Sequence, residues 1–147
     1  GDNNDGDNND GDDEVGQIPT DIQDLINNLF QGMTPVEVEA DTLCDNTSVL
    51  IIKLNNPDTN DSIYAYFDAS ANLIQTAVAT DSSNLPQEVI AEISTGYPDY
   101  VLENEILKIE LTNGSFNYEV ELELANNDGL YVLFDSLGNV ICERVDD

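Results

Sequence analysis

The chain has 147 residues, 40% of them hydrophobic, and sets 31 Asp and Glu against three basic residues, Lys53, Lys108 and Arg144, for a formal net charge of −28. This is enough apolar material for one folded domain, but the acidity excludes phosphate backbones and anionic lipid surfaces as partners, because no basic stripe exists to displace their counterions. Histidine is absent, which removes the commonest general base and the commonest transition-metal ligand.

The chain begins with GDNNDGDNNDGDDE, in which no residue from Gly1 to Glu14 is apolar. Residues 1–16 are therefore expected to form an acidic, disordered leader. Its Asp and Gly content suggests a calcium loop, yet the glycine arrives one position early and no Glu follows at the spacing an EF-hand requires. A flexible tether is the preferred reading, compatible with weak, diffuse cation binding.

From Gln17 the apolar period becomes helical, with Ile22, Leu25, Ile26 and Leu29 on one stripe, Pro19 at the first turn and Gly32 past the end. Strands are expected near 36–43, 49–54, 63–67 and 73–79. Beyond them Pro86, Val89, Ile90, Ile93 and Gly96 spell a second amphipathic helix. Leu107, Ile109 and Leu111 then alternate with Lys108 and Glu110, and Asn113-Gly114 supplies a hairpin turn. Tyr118, Val120 and Leu122 alternate with Glu119, Glu121 and Glu123. A third strand runs from Leu130 to Phe134 and a fourth from Val140 to Val145.

The two halves repeat each other at an offset of 67. Ile18-Pro19 answers Leu85-Pro86, Ile63 to Asp68 answers Leu130 to Asp135, and Asn72-Leu73-Ile74 answers Asn139-Val140-Ile141. The expected fold is α+β, a single domain over 17–147 built from two tandem repeats, 17–80 and 84–147. Each repeat is one helix followed by a four-stranded antiparallel meander, with the helices packed on one sheet face. A unit of that size is marginal alone, so the copies are expected to share a core or a sheet, with Phe67 and Phe134 at its centre.

Cys44 and Cys142 fit neither zinc nor CxxC redox spacing and do not occupy equivalent places in the repeats. Two separate buried thiols are preferred over a disulfide. If Leu130, Val132 and Phe134 face the helix along with Ile63, Ala65 and Phe67, then Tyr64, Tyr66, Tyr131 and Leu133 face away. They would share an open face with Glu110, Glu119, Glu121 and Glu123. An aromatic patch flanked by carboxylates suits protein binding, while cross-strand pairing on a solvated face explains it equally well. The row Glu119, Glu121 and Glu123 is too widely spaced, at roughly 6.5 to 7 Å between neighbours, to chelate one hard cation unaided. It is carried as a weak, diffuse metal site. With no base to activate a hydroxyl, no catalytic residue is assigned.

Leu85-Pro86 opening a helix, Tyr97-Pro98 closing it, Tyr118-Glu119-Val120-Glu121-Leu122, and Leu133-Phe134-Asp135 with Gly138-Asn139 resemble the PepSY-like, beta-lactamase-inhibitor-like family of secreted bacterial proteins. The first repeat keeps Ile18-Pro19 and Phe67-Asp68 but has Thr34-Pro35 for the Tyr-Pro and Ala71 where Gly138 aligns. The resemblance implies a fold like the beta-lactamase inhibitory protein, with helices on one face of an antiparallel sheet and a concave face that can bind a partner. It also implies export to a Gram-negative envelope, in the periplasm or as an outer-membrane lipoprotein. The expected function is a non-enzymatic, extracytoplasmic binding or inhibitor-like module with a protein partner in the envelope. The alternative is an acidic, calcium-responsive periplasmic protein, calcium being the one cofactor left open.

Overall fold

The computed structural model describes residues 18–146. The acidic leader expected over 1–16 lies outside them. Helix α1 spans Thr20–Leu29, strands β1 to β4 span Thr34–Thr42, Ser48–Asn55, Ser62–Asp68 and Leu73–Thr80, and a 3₁₀ turn covers Ser82–Asn84. Helix α2 spans Gln87–Gly96, followed by β5 Val101–Leu111, β6 Phe116–Glu123, β7 Gly129–Asp135 and β8 Val140–Asp146.

The strands stand in the order β1 to β8 in one eight-stranded sheet carrying two helices. This corrects the expected architecture of two tandem repeats, each a helix with its own four-stranded meander. A local pattern repeats in the sequence, but the outer strands of a four-stranded piece leave N–H and C=O groups unpaired, and a sheet grows by pairing such edges. By compactness the chain divides at Thr76 and Ala77, inside β4, into Gly1–Thr76 and Ala77–Asp147.

In the first unit α1 starts behind Pro19, whose carbonyl accepts from the Gln23 backbone N–H at 2.9 Å. Proline suits this entry because its fixed φ leads into a helix and its missing N–H is not needed there. Asp21 puts a carboxylate in the first turn, where the helix dipole favours it. Ile18, Ile22 and Ile26 bury their stripe against Val38, Ile52, Leu54, Ala65 and Phe67.

In the second unit Pro86 opens α2 in the same way. Val89 and Ile93 pack on Ile106, Tyr118, Val120, Leu122, Val132 and Phe134, with Tyr97, Tyr100 and Phe116 at the margin. Phe134 is fully buried, and the Tyr97 ring stands edge-on to it, centroids 6.4 Å apart. Phe67 and Phe134 thus centre two distinct clusters, not one common core.

The β3–β4 and β7–β8 turns are built alike. Asp68 Oδ1 accepts from the backbone N–H groups of Ser70 and Asn72, and Asp135 Oδ1 from those of Leu137 and Asn139. Each turn needs a left-handed residue, supplied by Ala71 at φ 64° and by Gly138 at φ 88°. Gly138 also lies against the first turn of α2, where a Cβ would come within 2.5 Å of the Glu88 carbonyl oxygen.

Candidate protein-binding face

In the first unit the sheet face opposite α1 is set by register. Glu37 pairs with Lys53 and Lys53 with Tyr64, Glu39 with Ile51 and Ile51 with Tyr66, Asp41 with Val49 and Val49 with Asp68. Since neighbours across a ladder share a face, this surface carries Val49, Ile51, Tyr64 and Tyr66 beside a border of three carboxylates on β1. Lys53 Nζ lies 3.9 Å from Glu37 Oε2 and 5.9 Å from the Tyr64 ring centroid, so its charge is shared between a carboxylate and an aromatic face.

Tyr64 is half-buried and available at the surface. Tyr66 is not: it retains 7% exposure, and Val49 beside it 5%. The expectation that Tyr66 offers an exposed ring is corrected. Across the ladder Tyr66 stands opposite Ile51, with Tyr64 two residues along the strand, so alternation sets its face but not its exposure.

In the second unit the face opposite α2 holds Leu107, Ile109, Glu119, Glu121, Glu123, Tyr131 and Leu133. The register runs Leu107 to Glu119 to Leu133, with Glu121 opposite Tyr131 and Glu123 opposite Gly129. The carboxylate row is therefore central, with apolar side chains on the strands to either side. Arg144, across from Tyr131, reaches diagonally to Glu119, Nη2 to Oε2 at 3.2 Å. Among the described residues, no group of three or more Asp, Glu, His or Cys is arranged to hold a metal ion.

Glu110 is not part of this face, contrary to expectation. It pairs with Phe116, and Lys108 with Tyr118, so both stand on the side of α2, where Lys108 Nζ sits 4.4 Å above the Phe116 ring. Ile106 takes the core position instead, at 1% exposure, and sends Leu107 and Ile109 to the opposite face. The alternation was legible in the sequence; its phase was not, because β5 has apolar residues of both parities and is bulged between Leu102 and Ile106.

The preference for two separate thiols is also overturned, since Cys44 and Cys142 are both disulfide-bonded. Neither cysteine belongs to the buried core. Partial exposure is what makes the thiol reading fail, as an exposed pair is open to oxidation where a core thiol is not.

Three shifted groups belong to turns and to the margin of the core. The Asp68 and Asp135 carboxylates are held below their usual value, first by the backbone N–H of Asn72 and of Asn139 respectively. The Tyr97 hydroxyl is pushed well above its usual value by burial and by donating to Glu143 Oε2. Among the described residues, no helix is long and apolar enough to cross a membrane.

The chain matches no described protein family, and no curated protein is similar to it. Solved structures share its fold. A DUF2874 family protein from Bacteroides uniformis is 16% identical, covering 87% of this chain and 89% of its own, with a TM-score of 0.63. A BLIP-like protein from Bacteroides fragilis is 22% identical over 91% of this chain and 92% of its own, at 0.57. A protein described as periplasmic from Bacteroides eggerthii is 12% identical over 88% and 90%, at 0.63. The inhibitor-like part of the expected resemblance is thus matched as a fold; PepSY has no counterpart among these structures.

Proposed function

We propose that the chain is a non-enzymatic binding module of the Gram-negative envelope that contacts a protein partner through the sheet face that, within each unit, lies opposite that unit's helix. An antiparallel sheet with one face on the core is expected to be polar on the other. Here, beside its carboxylates, the second face carries part-exposed apolar and aromatic side chains within each unit: Ile51 and Tyr64 in the first, and Leu107, Tyr131 and Leu133 in the second. That observation carries the reading. Tyrosine supplies large contact area with little side-chain entropy to lose, which suits it to such a surface. The fold shared with a BLIP-like protein and with one described as periplasmic supports both the binding role and the compartment. Anchoring as a lipoprotein belongs to the same proposal. Calcium acts in it as a diffuse counter-ion to the −28 charge, not through a chelate.

The test is capture from envelope extract, with and without calcium, by the wild-type chain and by Tyr64→Ala/Tyr131→Ala. Both tyrosines are half-buried on the apolar face, so truncating them should leave the fold intact. The variant should lose the captured band while keeping a melting temperature within about 5 °C of wild type. An undiminished band with the variant would refute the assignment of this face. A band that requires calcium in both proteins would favour the calcium-responsive alternative.

A further inference from the structure

The hairpin turns at 43–47, 111–115 and 124–128 are built alike. Each begins with a leucine whose N–H donates to the carbonyl of the fifth residue and whose carbonyl accepts from the N–H of the fourth, all at 2.9 Å. The fourth residue is left-handed in each, Asn46 at φ 70°, Gly114 at 87° and Asn127 at 72°. The third is Asp45, Asn113 or Asn126, and its side-chain oxygen accepts from the N–H of the fifth at 3.0, 2.9 and 3.0 Å.

Asn113 differs from its two counterparts. It is followed by glycine, and nothing lies within 4 Å of where a Gly114 Cβ would stand, so no side chain crowds the approach of the Gly114 nitrogen. Its Oδ1 also accepts from the Ser115 hydroxyl at 2.7 Å. Asn126 has neither feature: Asn127 follows it, and its Nδ2 donates to Asp128 Oδ2 at 2.9 Å. Residues 112–115 are exposed throughout.

We propose that Asn113 is a spontaneous modification site, converted to aspartate and isoaspartate by attack of the Gly114 backbone nitrogen on the Asn113 side chain. The nitrogen bonds to Asn113 Cγ, the Cγ–Nδ2 bond breaks, and ammonia leaves with the Gly114 amide proton. Negative charge develops on Oδ1 during the attack, where the Ser115 N–H and hydroxyl already donate. Water then opens the cyclic imide: cleavage of the new N–Cγ bond gives aspartate, and cleavage of the original peptide bond gives isoaspartate. The Gly114 N–H must first leave the Leu111 carbonyl, so the step draws on opening of the hairpin tip. Aspartate fits the turn, because Asp45 already fills the same place, its carboxylate held below the usual value by the Thr47 side chain and N–H. Isoaspartate adds a methylene to the main chain, which breaks the spacing of the Gly114 to Leu111 hydrogen bond and loosens the tip beside Phe116.

The experiment ages the full chain at mildly alkaline pH and maps deamidation by peptide mass spectrometry, with fragmentation that separates aspartate from isoaspartate. Asn113 should convert at least about tenfold faster than Asn126, because a side chain on the following residue displaces the attacking nitrogen. Gly114→Asn recreates the turn of 124–128, so it should keep the fold and bring Asn113 down to the rate of Asn126. Asn113→Asp should melt as the wild type does. Equal conversion at Asn126, an undiminished rate in Gly114→Asn, or an Asn113 that persists while a blocked peptide of residues 109–117 converts overturns the proposal. A clear drop in melting temperature for Asn113→Asp overturns the fit of the aspartate product to the turn.

Discussion

Replacing Gly138 with Ala tests how the β7–β8 turn is held. Gly138 has φ 88°, and an added Cβ would sit 2.5 Å from the Glu88 carbonyl oxygen and 2.8 Å from its carbon. The left-handed conformation costs an L-residue about 1–2 kcal/mol. Relieving a clash with helix backbone, which has no rotamer to change, adds about 1–3 kcal/mol. Alanine's smaller unfolded-state entropy returns about 0.4–1 kcal/mol. The net loss should be about 2–4 kcal/mol, read from urea unfolding with an unchanged slope. Ala71→Gly gives the opposite case, since Ala71 already sits at φ 64° and packs against the core of its own unit. Relief of the left-handed strain is offset there by chain entropy and by about 0.8 kcal/mol for the lost methyl, so stability should change by less than about 1 kcal/mol. A Gly138→Ala loss below about 1 kcal/mol would refute the close approach of this turn to α2.

Phe134→Ala empties a fully buried site beneath α2 and should cost about 3–5 kcal/mol in chemical denaturation, as should Phe67→Ala in its own cluster. The Asp68 and Asp135 carboxylates have folded-state values below the ordinary 3.8, so each contributes stability present above the unfolded value and lost as pH falls through the folded one. Side-chain carboxyl titration by NMR should place both below 3.8, and Asp68→Asn/Asp135→Asn should flatten the acid limb of the stability profile; titration at the ordinary value would remove the turn hydrogen bonds as its cause. Reduction and alkylation of Cys44 and Cys142 should lower stability by about 2–4 kcal/mol, and an unchanged unfolding midpoint after reduction would contradict the disulfide.

Local order was legible along the chain because it depends on near neighbours. Proline and apolar spacing place α1 and α2 at Ile18-Pro19 and Leu85-Pro86, and the Asp68 and Asp135 turns follow from Asp, Asn and a residue able to take positive φ. Once Phe67 and Phe134 are given to the core, period-two alternation sets Tyr64, Tyr131 and Leu133 on the opposite face. Tertiary structure decided the rest. Period two states that neighbours point to opposite sides but not which side is the core, so only the pairing of β5 with β6 sent Glu110 to the α2 side and Leu107 and Ile109 away from it. The burial of Tyr66, the bonding of Cys44 and Cys142, and the continuation of the strands into one eight-stranded sheet depend on residues distant in sequence that come together only when edges and side chains pair in space. A repeated local pattern carries no record of those contacts, because helix and turn signals depend on near neighbours and the pairing of strand edges does not.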